Sequence, residues 1–258
     1  MQEVTYSDVL TRVKALAGVT DFTSQEQVLM TSLINRRAKL AYEASDFWPR
    51  WLVVGQSRNY QTTTVSPSAI IAGLTYTILT VGNTNWVSIG AASNTVGVVF
   101  VASGAGSGTG TANLNSNIVP YDQTGLPSID TYLRIHKSYQ PFYQYSSVEV
   151  EYYVDSQGAH VVGDIAPTTS TFVTFKKEWN GPYTTASTSI PEEWFDYVAH
   201  GAYSDFLRQD GQVEKALVEE KVAEGILNDQ LAKVDVTRSV GILAHRISTH
   251  MSRAYRRN

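Results

Sequence analysis

The side chains that could carry chemistry are few and scattered. His136, His160, His200, His245 and His250 show no pairing at zinc-ligand intervals, and no His-Glu-x-x-His occurs. The chain has no cysteine, which removes disulfides, thiolate metal sites and a cysteine nucleophile together. A Gly-x-Ser-x-Gly elbow is also absent. Glu192 and Glu193 could serve as acid and base, but they stand at a helix start, where negative charge offsets exposed amides. Gly104, Gly106, Gly108 and Gly110 alternate with small residues as a phosphate cradle would. No lysine follows them, and the spacing fits neither the P-loop nor the dinucleotide fingerprint, so they read as a loop or tight turn between strands. No catalytic group, metal or cofactor is expected, and the chain reads as a non-enzyme.

The remaining chemistry is ionic. The last 22 residues carry Arg238, Arg246, Arg253, Arg256 and Arg257, with His245 and His250 and no carboxylate, although the net charge is −4. The chain is therefore a basic arm on an acidic body. Arginines without aromatic platforms or a reading helix would bind phosphate in a salt-dependent way and would not read sequence. Acidic protein surface is the favoured partner, and DNA could share the arm. Val240, Ile242, Leu243, Ile247, Met251 and Tyr255 are its few apolar residues. Such a segment is expected to be extended, and mobile until it docks.

Helices must position that arm. Ser189-Ile190-Pro191-Glu192 reads as a helix start, with Ser189 as cap. Trp194, Phe195, Val198, Ala202, Phe206 and Leu207 then recur at helical spacing. Asp210-Gly211 interrupts the pattern, and Val213, Ala216, Leu217, Val222, Ala223, Ile226, Leu227, Leu231 and Val234 resume it. This is either two helices meeting at a turn or one bent helix. At the other end of the chain, Thr5 to Asp8 can cap a first helix closed by Gly18, and Thr23 with Glu26 has capping-box spacing for a second. Arg36, Arg37 and Lys39 lie mostly off the second helix's apolar face, as a solvated flank or as a contact to an acidic neighbour.

Between the helices the chain is β-rich. No charged residue occurs in the 63 positions between Arg58 and Asp122. Strands are expected at Trp51–Val54, Tyr76–Val81, Val96–Val101, Thr131–Ile135, Val148–Val154 and Phe172–Phe175. Tyr139, Phe142, Tyr143 and Tyr145 crowd a loop. Charged residues are 17% of the chain and tyrosines number 15, a balance that suits either extensive interfaces or Thr/Tyr-rich strands. No basic region precedes an apolar core at the N-terminus, so no signal peptide is expected, and no apolar run approaches the ~18 residues of a membrane span.

Two resemblances follow from particular residues. Gly73-Leu-Thr-Tyr-Thr-Ile, Gly82-Asn-Thr-Asn-Trp, Ile89-Gly-Ala-Ala-Ser-Asn-Thr-Val-Gly, Phe100-Val-Ala-Ser-Gly and Gly108-Thr-Gly-Thr-Ala resemble a small β module of tailed-bacteriophage structural proteins. The two-helix start from Glu26 to Phe47, Ile190-Pro191-Glu192-Glu193 leading into Tyr197-Val198-Ala199-His200, and Phe206-Leu207-Arg208-Gln209-Asp210-Gly211 resemble the head-to-tail adaptor (connector) proteins of tailed phages. The second resemblance covers roughly the first fifty and last seventy residues.

The expected fold class is α+β. N- and C-terminal helices (1–50 and 189–235) form one helical core, a β-rich insertion (51–188) contains the uncharged module at about 73–112, and a basic arm (236–258) extends from the end. By resemblance, the protein is a structural component of the virion neck, assembled in the host cytoplasm as a self-associated ring of twelve copies. The ring joins the portal protein to tail or nozzle proteins, without membrane contact and with possible non-specific contact to DNA passing through the channel. Its portal-binding residues would be Arg238, Leu243, Arg246, Ile247, Arg253, Tyr255, Arg256 and Arg257. The competing expectation is a glycan-binding or capsid-decorating β module, with Trp86 and the loop tyrosines stacking on sugars.

Overall fold

The structure, a computed structural model, describes residues 3–137, 149–163, 170–185 and 189–254. The chain opens with β1 (Glu3–Thr5), α1 (Tyr6–Ala17) and α2 (Ser24–Glu43). It continues through β2 (Leu52–Arg58), β3 (Thr62–Val65), β4 (Thr75–Thr80), β5 (Val99–Val101), β6 (Thr111–Asn115) and β7 (Ile118–Pro120). Then come β8 (Ile129–His136), β9 (Tyr152–Val154), β10 (Gly158–Val161), β11 (Thr171–Lys177), β12 (Ser189–Pro191), α3 (Phe195–Gln209) and α4 (Val213–Ala254). The class is α+β, and the strands pair antiparallel in several sheets. The chain divides into two compact units, Met1–Leu52 with Glu178–Asn258, and Val53–Lys177.

Local sequence chemistry starts the first two helices. Thr5 accepts the Asp8 amide while Asp8 accepts the Thr5 amide, and Thr23 and Glu26 repeat the exchange. Each box satisfies amides that a helix start leaves unpaired. Gly18 ends α1 at φ 71°, a left-handed conformation that favours glycine. The expected start at Ser189 is corrected. Ser189–Pro191 pairs with Glu3–Thr5 as a strand, a short 3₁₀ turn follows, and α3 begins at Phe195 without a side-chain cap. The ladder offered by β1 and the burial of Ile190 outweigh the local capping signal.

Aromatic packing fills the core of this unit. Trp51 and Trp194 stack at 4.5 Å with 5° between their planes, and Trp48 meets Trp194 edge-on at 5.5 Å. All three are buried, as are Val9, Val13, Met30, Ile34, Val198 and Ala202 from α1, α2 and α3. The Asn35 side chain accepts the Tyr183 amide at 2.6 Å and donates to the Tyr183 carbonyl at 2.9 Å. A polar side chain on α2 thereby holds the returning backbone as a neighbouring strand would.

The second unit holds two hydrophobic clusters. One lies among β3, β4, β5 and β6, with Tyr76, Ile78, Trp86, Phe100 and Ala112 at its centre. The sheet includes Thr62–Val65 and reaches Asn115, so its strands extend beyond the 73–112 stretch. The other cluster is built on Val119, Ile135, Ala159, Val161, Val173 and Phe175 from β7, β8, β10 and β11. At its edge Arg58 is buried, donates to the Pro127 carbonyl and to Gln56, and lies 4.8 Å from the Phe175 ring centre.

Candidate interaction surface

The strongest electrostatic feature of the described residues is the seam that fixes α4. Arg37, expected on a flank, is buried and has two carboxylate partners from distant parts of the chain. Its Nε and Nη2 donate to the two oxygens of Asp205 at 2.8 and 2.7 Å. Its Nη1 and Nη2 donate to the two oxygens of Glu220 at 2.8 and 2.6 Å. Planar guanidinium and two carboxylates thus meet as two forks, the geometry for which arginine is suited and lysine is not. Ser204 donates to the Ala216 carbonyl and to Glu220, and Arg208 stands 3.7 Å from the same carboxylate. Gly201 is required beside the seam, because a Cβ there would come within 2.9 Å of the Arg37 side chain.

Burial alone would lower the Arg37 pKa, but the hydrogen bonds and charges of Asp205 and Glu220 overcome it and raise the pKa above its usual value. The Arg37 hydrogen bond holds the Glu220 carboxyl below its ordinary range, against the opposing effect of its burial. A further α3–α4 link joins His200 Nδ1 to Glu219 at 2.6 Å. This ionic seam explains which side of α4 faces the core. Ala216, Glu220 and Ala223 turn inward, while Val213, Leu217 and Val222, expected on the apolar face, are exposed.

From that anchorage α4 continues without a break to Ala254. The expected extended arm is therefore corrected: the backbone that carries Arg238, Leu243, Arg246, Ile247 and Arg253 is α-helical. The sequence permits this, since Val240, Leu243, Ile247 and Met251 recur at three- and four-residue steps with no proline among them. Each residue added to an existing helix gains one hydrogen bond without a new nucleus. Tyr255, Arg256 and Arg257 lie outside the described residues. Helical rise shortens the reach of the 42-residue segment to about 63 Å in all.

Other sequence candidates resolve as structural parts. The glycine run is a packing device: Asn83 Oδ1 accepts the Thr109 amide at 2.7 Å and Thr84 Oγ1 accepts the Gly110 amide at 3.0 Å. A Cβ at Gly110 would fall 2.5 Å from the Val81 carbonyl and 2.7 Å from the Trp86 ring, so only glycine fits that approach. Those amides face side-chain oxygens and cradle no phosphate. Trp86 is buried and donates to the Val81 carbonyl, which removes it as a sugar platform; Tyr139, Phe142, Tyr143 and Tyr145 lie outside the described residues. Glu192 and Glu193 stand in the 3₁₀ turn before α3. His160 lies 2.9 Å from Asp155 and stacks on Tyr153 at 4.6 Å. Among the described residues no cluster of three or more His, Asp or Glu could hold a metal, and no helix is long and apolar enough to cross a membrane.

Sequence reasoning missed the Arg37 seam. The available signal was Arg37 standing one helical turn from both Leu33 and Ala41, on the side of α2 that those residues bury, together with Asp205 one turn or less from Ala202, Phe206 and Leu207. No protein-family profile, curated protein or solved structure matches this chain.

Proposed function

We propose that this chain is a non-enzymatic structural protein of a tailed-phage virion, a head-to-tail adaptor whose ring links the portal to the tail. One observation carries the reading. A single helix runs from a buried ionic seam on the body into a segment with five arginines and no carboxylate up to the chain's last residue. A seam of four short hydrogen bonds fixes the direction in which α4 leaves α3, and the helix gives its basic end a defined course. An acidic protein wall is the complementary partner, since forked guanidinium donors match carboxylates in pairs. The N- and C-terminal helices act as the ring's body, the β unit is an inserted part, and twelve copies would match a twelve-fold portal.

The test is binding of full-length protein to the portal of its own virion, compared with a chain truncated after Val236. Negative-stain images should show a ring seated on the portal with the full chain. Truncation should leave the body folded and abolish or sharply weaken seating. Trypsin should cut after Arg238, Arg246 or Arg253 in free protein more readily than in the complex. Equal binding by the truncated chain would remove the C-terminal segment as the docking element.

A further inference from the structure

We propose that Asn180 is a self-modification site, where the Gly181 amide closes on the Asn180 side chain, assisted by the Tyr183 hydroxyl, and converts it to aspartate and isoaspartate. Asn180-Gly181 is the sole Asn-Gly step in the chain. Glycine matters there because it has no side chain to shield its amide from the preceding residue. A Cβ at Gly181 would overlap the Trp179 ring, so local packing keeps glycine in place.

Three features prepare the reaction. The step lies between β11 and β12, outside any helix or strand, and Asn180 is exposed, so water reaches its side chain. Among the described residues the Gly181 amide donates to no backbone carbonyl, which leaves the nucleophile uncommitted. The Tyr183 hydroxyl donates to Asn180 Oδ1 at 3.0 Å, the oxygen on which negative charge develops when the side-chain carbon is attacked. Tyr183 is itself fixed: its ring is buried and meets Trp179 edge-on at 5.8 Å, and Asn35 grips its backbone amide and carbonyl. Burial pushes its hydroxyl up to about 12, so it remains a donor at the alkaline pH where the attacking amide loses its proton more readily.

The step needs only water. A solvent base takes the Gly181 amide proton, the nitrogen bonds to Asn180 Cγ, and the carbonyl electron pair moves onto Oδ1 beside the Tyr183 donor. The pair returns as the Cγ–Nδ2 bond breaks, and the nitrogen leaves as ammonia with a proton from water. Water then opens the resulting cyclic imide. Breaking the Cγ–nitrogen bond gives aspartate; breaking the bond from the residue-180 main-chain carbonyl to the same nitrogen gives isoaspartate, whose main chain runs through the former side chain. Either product adds a negative charge just before the backbone that Asn35 holds.

The test is incubation of the full-length protein at neutral and mildly alkaline pH, followed by trypsin digestion and mass spectrometry. The fragment 178–208 contains no other asparagine or glutamine, so its mass gain reports Asn180 alone. Asn228, exposed on α4 where helical bonding commits the following amide, is the internal control. The expected result is a time-dependent change from amide to acid at Asn180, faster at the higher pH, with isoaspartate labelled by its methyltransferase and Asn228 unchanged over the same time. Asn180→Gln, which would have to close a larger ring, should stop the conversion. Tyr183→Phe, which keeps the ring and loses the donor, should slow it about tenfold. An unchanged fragment mass, equal conversion at Asn228, or a rate in Tyr183→Phe that equals or exceeds the parent rate would each overturn the proposal. The portal takes no part in this assay, so its result is separate from that of the adaptor reading.

Discussion

Replacing Arg37 with alanine should be among the most damaging single changes to the helical unit. The substitution deletes four hydrogen bonds and leaves Asp205, whose side chain is 6% exposed, and Glu220, 17% exposed, without their shared cation. Removing one partner of a buried ion pair costs about 3–5 kcal/mol, mostly through the stranded charge. Two stranded carboxylates argue for the upper end of that range. Arg36, 3.9 Å from Asp205, and Arg208, 3.7 Å from Glu220, argue for the lower end, since both are largely exposed and free to move closer. About 3 kcal/mol at neutral pH is the expectation, which for a unit of this size lowers Tm by roughly 10 °C. Urea unfolding followed by tryptophan fluorescence in a Trp86→Phe background reads this unit, since Trp48, Trp51, Trp179 and Trp194 all belong to it.

The pH dependence gives a second readout of the same seam. Glu220 has a folded pKa below its unfolded value near 4.3, so its contribution is complete above that pH and is lost as pH falls through the lower folded value. Arg37→Ala should flatten this acid-side loss. Arg37→Lys, which keeps the charge but not the fork, should fall between the two. Replacing all three residues together (Arg37→Met, Asp205→Leu, Glu220→Leu) should recover most of the stability, because apolar groups leave no charge stranded. A loss below about 1 kcal/mol for Arg37→Ala would refute the seam as the anchor of α4, placing it in the range of exposed pairs.

Other expectations concern the rest of the core and the β unit. Trp194→Ala should destabilise by about 3–5 kcal/mol, whereas Phe206→Ala, at a half-buried ring, should lose less; chemical denaturation of the two variants side by side checks the order. Tyr183 is buried and its hydroxyl is pushed up to about 12, above the unfolded value near 10, so its contribution holds below pH 10 and is lost as pH rises through 12. Tyr183→Phe should flatten stability measured across that alkaline window. Val65 opposes Ala112 in the β3–β6 ladder, so Ser66–Gly110 can be replaced by a short Gly-Ser bridge. That deletion should leave the helical unit's urea midpoint unchanged, and a shifted midpoint would show that the uncharged sheet supports the helices.

Much of the local structure was legible in the sequence because its causes lie within a few residues. Thr5 with Asp8 and Thr23 with Glu26 are three apart, and a capping box needs nothing else. Gly18 ends α1 through its own backbone freedom, and the break at Asp210-Gly211 separates α3 from α4. Tyr76–Val81 and Phe172–Phe175 announced strands by composition and were found within or overlapping β4 and β11. Thr62–Val65 and Thr111–Asn115 gave little signal, because threonine- and asparagine-rich segments become strands only once they find each other across some fifty residues.

Tertiary structure alone decided the features that depend on distant partners. Arg37 bonds to residues 168 and 183 positions away, and a charge that is solvated on a free helix becomes the centre of a buried seam only when both carboxylates arrive. That seam rotates Glu220 inward and leaves Val213, Leu217 and Val222 outside, so hydrophobic periodicity misplaced those three while Ala216, Ala223, Ile226, Leu227, Leu231 and Val234 pack on the core as expected. Ser189 had a capping signal within its own neighbourhood, yet the N-terminal strand claimed it for a ladder. The arginine-rich end has the composition of an arm that would not fold alone, but it continues a helix already nucleated at Val213, and propagation costs far less than nucleation.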